Sequence, residues 1–226
     1  MPDDTDVPGA EEGATITALD PQTHNEDRIS VFLDGEFAFG VHQDVVAQHR
    51  LQVGDTLTPA EQQEIVRAEQ YVEAKQTALN YLAHKPRTET EVRRKLRGTD
   101  APSEVIEDVV ARLYELSYLD DEAYAQDYVR NRFASKKYGP VRIRRELVER
   151  GIDRSRAEQA VSDLFAEEDV VAAARTHAEK RWARLSDEDD PRRRRQKLYR
   201  YLRRRGFTSD TINPILDDLE AETYSR

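Results

Sequence analysis

Leu147 to Leu164 reads LVERGIDRSRAEQAVSDL, and the same frame recurs as LRGTDAPSEVIEDVVARL from Leu96 to Leu113 and as LRRRGFTSDTINPILDDL from Leu202 to Leu219. Counted from each first leucine, offset 10 holds Ile106, Ala157 and Ile212, and offset 13 holds Val109, Ala160 and Ile215. Offset 14 holds Val110, Val161 and Leu216, and offset 17 holds Leu113, Leu164 and Leu219. Such offsets lie on one face of an α-helix, so each opening leucine closes a short helix that packs on the apolar stripe of the next. Gly151 and Gly206, four residues after their leucines, supply the left-handed cap that ends the short helix. The first copy has Asp100 at that offset and its glycine earlier, at Gly98; Asp153 and Thr208 then start the next helix in copies two and three. Pro214 breaks the pattern, because a proline inside a helix removes a hydrogen bond and should kink the last helix or delay its start.

Working outward, each copy is preceded by another helix, giving three-helix units over about 59–117, 121–165 and 167–220. Thr58-Pro59-Ala60-Glu61 combines an N-cap, Pro at the first helical position and Glu at the third. It opens a long helix with Ile65, Ala68, Val72, Leu79 and Leu82 on its apolar side, uninterrupted by Pro or Gly before Pro86. Thr88-Glu89-Thr90-Glu91 is a second capping box, leading into Val92 and Leu96. A further helix over roughly 102–117 carries Val105, Ile106, Val109, Val110 and Leu113. Ahead of the helices, Arg28 to Val41 reads RISVFLDGEFAFGV, and Asp34-Gly35 supplies the two positive φ angles of a type I′ hairpin. A lone hairpin is marginal in water, so Ile16 to Leu19 is expected to add a third strand, with Val45, Val46, Leu51, Val53 and Leu57 covering one face. The fold class that follows is mainly α: three tandem three-helix, helix-turn-helix-like repeats in an elongated array, preceded by a small α+β module with a β-hairpin. The expected boundaries are a disordered acidic tail at 1–13, the module at 14–57 with its hairpin at 28–41, and repeats at 58–117, 118–165 and 166–226.

Composition excludes several classes. The chain of 226 residues has no cysteine, which removes disulfides, thiolate zinc sites and cysteine nucleophiles. No apolar run approaches a membrane span and the N-terminus is acidic, so a cytoplasmic location is expected. A formal charge of -10 opposes nucleic acid as a partner only until it is divided. Residues 1–74 hold 16 acids against 3 bases, which leaves 29 acids and 32 bases for the remainder. Arg192 to Gly206, RRRRQKLYRYLRRRG, has nine bases in fifteen residues and follows the acidic SDEDD of Ser186 to Asp190. Bases gather on the middle helix of every copy: Arg93, Arg94, Lys95 and Arg97; Arg142, Arg144, Arg145 and Arg150; Arg192, Arg193, Arg194, Arg195, Lys197, Arg200, Arg203, Arg204 and Arg205. Arginine is the better fork for phosphate and carboxylate. Ion pairs with neighbouring Glu residues are the competing account of the same pattern.

The stretch from Ser117 to Asp153, SYLDD followed by EAYAQDYVRNRFASKKYGPVRIRRELVERGID, resembles the signature of the RecX family of recombinase regulators. The shared features are an aromatic-Leu-Asp-Asp opening, an alanine and aromatic helix, a Lys-x-x-Gly turn and an Arg-rich helix ending in Leu-x-x-x-Gly-Ile. The likeness runs over about residues 75–220. It implies a protein that binds the groove of the RecA–single-stranded DNA filament, has at most weak affinity for duplex DNA, and lowers recombinase, ATPase and coprotease activity in recombination, repair and the SOS response. The acidic module before residue 58 and the SDEDDPRRRRQ insertion fall outside the core pattern of that resemblance. Residue by residue, Asp120 and Asp121 are placed to cap the helix that follows. Tyr118, Leu119, Tyr124, Tyr128, Val129 and Phe133 read as core between repeats. Lys136, Lys137, Arg142, Arg144 and Arg145 have no evident packing role and are the candidates for contact with a partner.

No catalysis, metal or cofactor is expected. The five histidines (24, 42, 49, 84 and 177) show no ligand or triad spacing, and no Gly-rich phosphate loop exists. The functional reading is a monomeric, non-catalytic regulator of the RecA filament. The alternative, a helix-turn-helix protein acting on duplex DNA, needs a base-reading recognition helix, whereas the third helices, such as VIEDVVARL and AEQAVSDLF, are neutral or acidic.

Overall fold

A computed structural model describes residues 13–23 and 25–224. The expected disordered tail lies, but for Gly13, outside the described residues. The chain is mainly helical, with a small N-terminal strand module, and it divides into two compact units. One holds the residues up to 85 together with 92–116, and the other holds 86–91 together with 117 onward.

In the first unit, strands β1 (Ala14–Gln22), β2 (Asn25–Leu33), β3 (Glu36–His42) and β4 (Thr56–Leu57) form an antiparallel sheet of order β3-β2-β1-β4. Both central residues of the hairpin turn, Asp34 and Gly35, have positive φ, as a type I′ turn requires. The Asp34 carboxylate accepts from the Thr15 N–H at 2.9 Å, and the Thr17 hydroxyl accepts from the Gly35 N–H at 3.0 Å, so β1 holds the turn from the side. The third strand is longer than expected, and the two-residue β4, which the sequence pattern did not signal, closes the other edge. Helix α1 (Gln43–His49) follows β3. Ile16, Val31, Leu33, Val41, Val45, Leu51 and Leu57 pack with Ile65 of helix α2 (Pro59–Ala83) into one core, with Val46 partly buried beside them. Val53, expected in that layer, is instead 63% exposed, because it lies in the turn from α1 to β4.

Strand β3 is an edge, and side chains satisfy backbone groups along it. The His42 N–H donates to Glu69 of α2, and Arg28 donates to the Gly40 carbonyl at 3.2 Å. Glu69 is buried and pairs with Arg28 at 2.9 Å. The Thr58/Glu61 capping box is present at the start of α2. Helix α3 (Glu89–Leu96) contributes Val92 and Leu96, and helix α4 (Ser103–Glu115) contributes its expected stripe from Val105 to Leu113, all buried.

The second unit holds α5 (Asp121–Lys136), α6 (Pro140–Glu149), α7 (Arg154–Glu167), α8 (Val170–Ala183), α9 (Pro191–Arg205) and α10 (Ser209–Tyr224) around a continuous core from Ala125 to Leu219. Every residue at the recurring offsets is buried except Leu164, which is half-buried. Helix α10 runs unbroken through Pro214 and starts at Ser209, so the expected delay does not occur. Only one backbone donor is lost, and Ile212, Ile215, Leu216 and Leu219 anchor the helix. Tyr118 is 56% exposed and does not join the core, unlike Leu119, Val129 and Phe133, while Tyr124 and Tyr128 pack at its edge.

The glycine turns reveal a joint that the offsets did not show. The Gly139 N–H, at the start of α6, donates to the Arg205 carbonyl at 2.9 Å, and the Val141 N–H donates to the Gly206 carbonyl at 3.1 Å, at the end of α9. One repeat earlier, at the same offsets, the Thr88 hydroxyl donates to the Arg150 carbonyl at 2.7 Å and the Thr90 hydroxyl to the Gly151 carbonyl at 3.3 Å. The spare donors at one helix start thus meet the spare acceptors at another helix end. Helices α3 and α6 begin seven residues before their closing leucines, whereas α9 begins eleven before and is capped by Asp190, which accepts from the N–H groups of Arg192 and Arg193.

Candidate functional site

Asp120 caps α5 as expected, accepting from the N–H groups of Glu122 and Ala123 at 3.0 and 2.8 Å. Asp121 does something else: it is buried and accepts the Glu89 N–H at 2.9 Å, capping the helix of the preceding repeat. Burial pushes its carboxyl above the usual range, partly offset by that hydrogen bond and by the nearby Arg156.

The expected contact residues separate into two groups once their geometry is known. Several bind other parts of the repeat. Arg93 pairs with Glu107, and Arg144, at the equivalent place in the second copy, pairs with the equivalent Glu158 at 3.0 Å, tying middle helix to third helix in both. Arg195 makes the corresponding tie in the third copy, to Asp217 at 2.8 Å and Glu220 at 2.6 Å. Arg142 lies 3.7 Å from the centre of the Tyr138 ring, pairs with Glu146 at 2.9 Å and donates to the Arg204 carbonyl at 3.3 Å. Arg194 stacks 4.0 Å over Trp182 and donates to its carbonyl. Lys137 ends α5 with φ of 48° and places its ammonium 4.4 Å over Phe133, and Arg203 donates to the Phe207 carbonyl. The expectation that Lys137, Arg142 and Arg144 lack a packing role is therefore corrected: an aromatic face or a carboxylate meets each.

The second group points outward. Arg94, Lys95, Lys136, Arg192 and Arg204 are exposed, and among the described residues their side chains have no ion pair. Arg97 and Arg200 share that state, while Arg193 and Arg145 are exposed with a loose partner each, Asp190 and Glu149, both at 3.4 Å. Arg94, Arg145 and Arg200 occupy one place, two residues before the closing leucine of each copy.

Sequence reasoning missed the aromatic half of this surface. Arg205 sits between Tyr138 and Tyr201, 5.5 and 5.2 Å from their ring centres, and Arg181 lies 5.7 Å from Tyr201, so cations and rings alternate between α6, α8 and α9. His177 faces the carbonyls of Lys136 and Lys137 at 3.1 Å each; burial and the neighbouring Arg205 hold its pKa below the usual histidine value. Tyr128 donates to Glu146 at 2.9 Å. Burial alone would raise the Glu146 carboxyl, but the hydrogen bonds from Arg142 and Tyr128 and the charge of Arg132 bring it below its ordinary value. Among the described residues no cluster of His, Asp and Glu is arranged to hold a metal ion, and no helix is long and apolar enough to cross a membrane.

Four family models match the chain: the regulatory protein RecX N-terminal domain at residues 14–58, and the first, second and third RecX three-helix domains at 74–113, 120–161 and 167–216. The N-terminal match corrects the expectation that the acidic module stands outside the family pattern, and SDEDDPRRRRQ lies within the third matched segment. Regulatory protein RecX of Limosilactobacillus reuteri is 32% identical over 206 residues, covering 91% of this chain and 77% of that one. The protein of the same name from Clostridium acetobutylicum is 30% identical over 210 residues, covering 92% and 97%. A crystal structure of regulatory protein RecX superposes with a TM-score of 0.73 at 33% identity, covering 90% of this chain and 99% of that one. RecX from Lactobacillus salivarius gives 0.61 at 33% identity, covering 68% and 99%. With the strand module and all three helical repeats accounted for in this way, the chain belongs to the RecX family of regulatory proteins.

Proposed function

We propose that the chain regulates the RecA recombinase by lying as a monomer in the groove of the RecA–single-stranded DNA filament, with the exposed cations of its middle helices turned toward phosphate and acidic protein. It inhibits strand exchange, ATP turnover and coprotease action without chemistry of its own. The observation that carries this reading is the recurrence of an exposed arginine at one place in all three copies, Arg94, Arg145 and Arg200, while the arginines one residue earlier in copies one and two, Arg93 and Arg144, are bound within the repeat. A cation without a partner is the kind that displaces counterions from a polyanion. The acidic front module is kept from phosphate by its charge and faces the protein side.

The test is the triple variant R94E/R145E/R200E. Inhibition of RecA strand exchange should weaken by roughly tenfold or more, and the salt slope of filament binding should fall by about 2, since each lost phosphate contact removes about 0.7 on a single strand. Unchanged potency with an intact circular dichroism spectrum would refute the assignment.

A further inference from the structure

Resting on that reading, we propose that the exposed face of α6 grips a segment of the recombinase itself, an acidic stretch carrying an apolar side chain, while the bare cations of the other copies meet DNA. Val141, Arg145 and Val148 lie on one outward face of α6, and the two valines are 37% and 42% exposed. Together with Arg144, Arg154 and Glu158 of α7 they line an open groove of about 420 Å³. The repeat supplies its own control. At the place of Val141 the other copies have Thr90 and Gln196, at that of Val148 they have Arg97 and Arg203, and at that of Arg154 they have Ser103 and Ser209. All three keep the exposed arginine between these places, so the cation is common property and the valines with their added arginine belong to the middle copy alone.

That difference selects a partner. Phosphate gains nothing from a valine and loses hydration beside it, whereas a polypeptide segment can bury an aliphatic or aromatic side chain between two valines and set carboxylates against Arg145 and Arg154. The groove is open at the surface, so an apolar side chain has room to enter it.

The experiment compares the full chain with V141S/V148S, which changes only exposed side chains, against two probes: RecA without DNA and an oligothymidylate strand without RecA. Affinity for RecA should fall by roughly tenfold, as truncating paired anchors does, while affinity for the strand stays within about twofold. V148L, which keeps the apolar surface, should retain RecA affinity. An equal loss on the oligonucleotide would place nucleic acid in the groove and overturn the inference, as would no loss on either probe. If the unmodified chain bound neither RecA nor its filament, the regulatory reading would fail with it; a filament-binding chain indifferent to the valine changes would sink this inference alone.

Discussion

Three glycine-to-alanine substitutions separate the two costs that hold the repeats in register. Gly54 has positive φ and open space around a built Cβ. Gly54→Ala therefore carries backbone strain alone, about 1–2 kcal/mol. Gly139 has an ordinary φ of -76°, but its Cβ would stand 2.5 Å from the Gly206 carbonyl oxygen and 2.8 Å from the Phe207 nitrogen. Backbone cannot rotate away, so Gly139→Ala should cost about 1–3 kcal/mol by forcing the α6–α9 joint apart. Gly206 combines both effects, with positive φ and a Cβ 2.4 Å from that of Arg142 and 2.5 Å from its nitrogen. Gly206→Ala should cost about 2–5 kcal/mol. Urea unfolding measures all three. The single tryptophan, Trp182, is buried in the second unit and reports on Gly139 and Gly206 by fluorescence, and circular dichroism reports on Gly54. A Gly139→Ala protein within about 0.5 kcal/mol of the parent, the scatter of ordinary surface changes, would refute the joint as a stabilising contact.

Asp121→Asn should be neutral or slightly stabilising at neutral pH, because the amide oxygen still accepts the Glu89 N–H without a buried charge, whereas Asp121→Ala should cost about 1–2 kcal/mol in the same unfolding assay. As the folded pKa of Asp121 is raised, its favourable contribution is complete below the unfolded value and declines as pH rises through the folded one; Asp121→Asn should flatten that part of the stability profile. Glu146 has the opposite sign: its pKa is lowered, so its contribution is present above the unfolded carboxylate value and vanishes as pH falls through the folded one. Glu146→Gln should therefore cost about 2 kcal/mol at neutral pH, with the difference from the parent shrinking in acid.

The helices were legible because their information is local. Capping boxes at Thr58 and Thr88, the Asp34-Gly35 turn and the leucine-anchored offsets each depend on residues within a few turns of one another. The repeat period itself predicts which helical faces meet, and the buried stripe of α4 follows it residue by residue. What stayed hidden depends on residues a whole repeat apart. Nothing in SYLDD distinguishes Asp120, which caps its own helix, from Asp121, which caps residue 89. Nor does an arginine reveal its partner: Arg144 and Arg145 are adjacent in sequence, yet one is tied to α7 and the other points into solvent. The sequence pattern marks where positive charge is dense. Which cations remain available is settled by carboxylates on the following helix, such as Glu107 and Glu158, and by Tyr138, Tyr201 and Trp182, whose faces occupy several of the rest.

The early start of α9 bears on how long such a chain can be. A further copy would have to seat its glycine turn on bare donors at the start of the preceding middle helix, as the turns after α6 and α9 do. In α9 those donors lie one turn inside the helix, and the new N-terminus is already closed by Asp190. The added helical turn and its aspartate thereby act as a terminator, and deleting them would turn the closed end of the protein into an acceptor for another repeat.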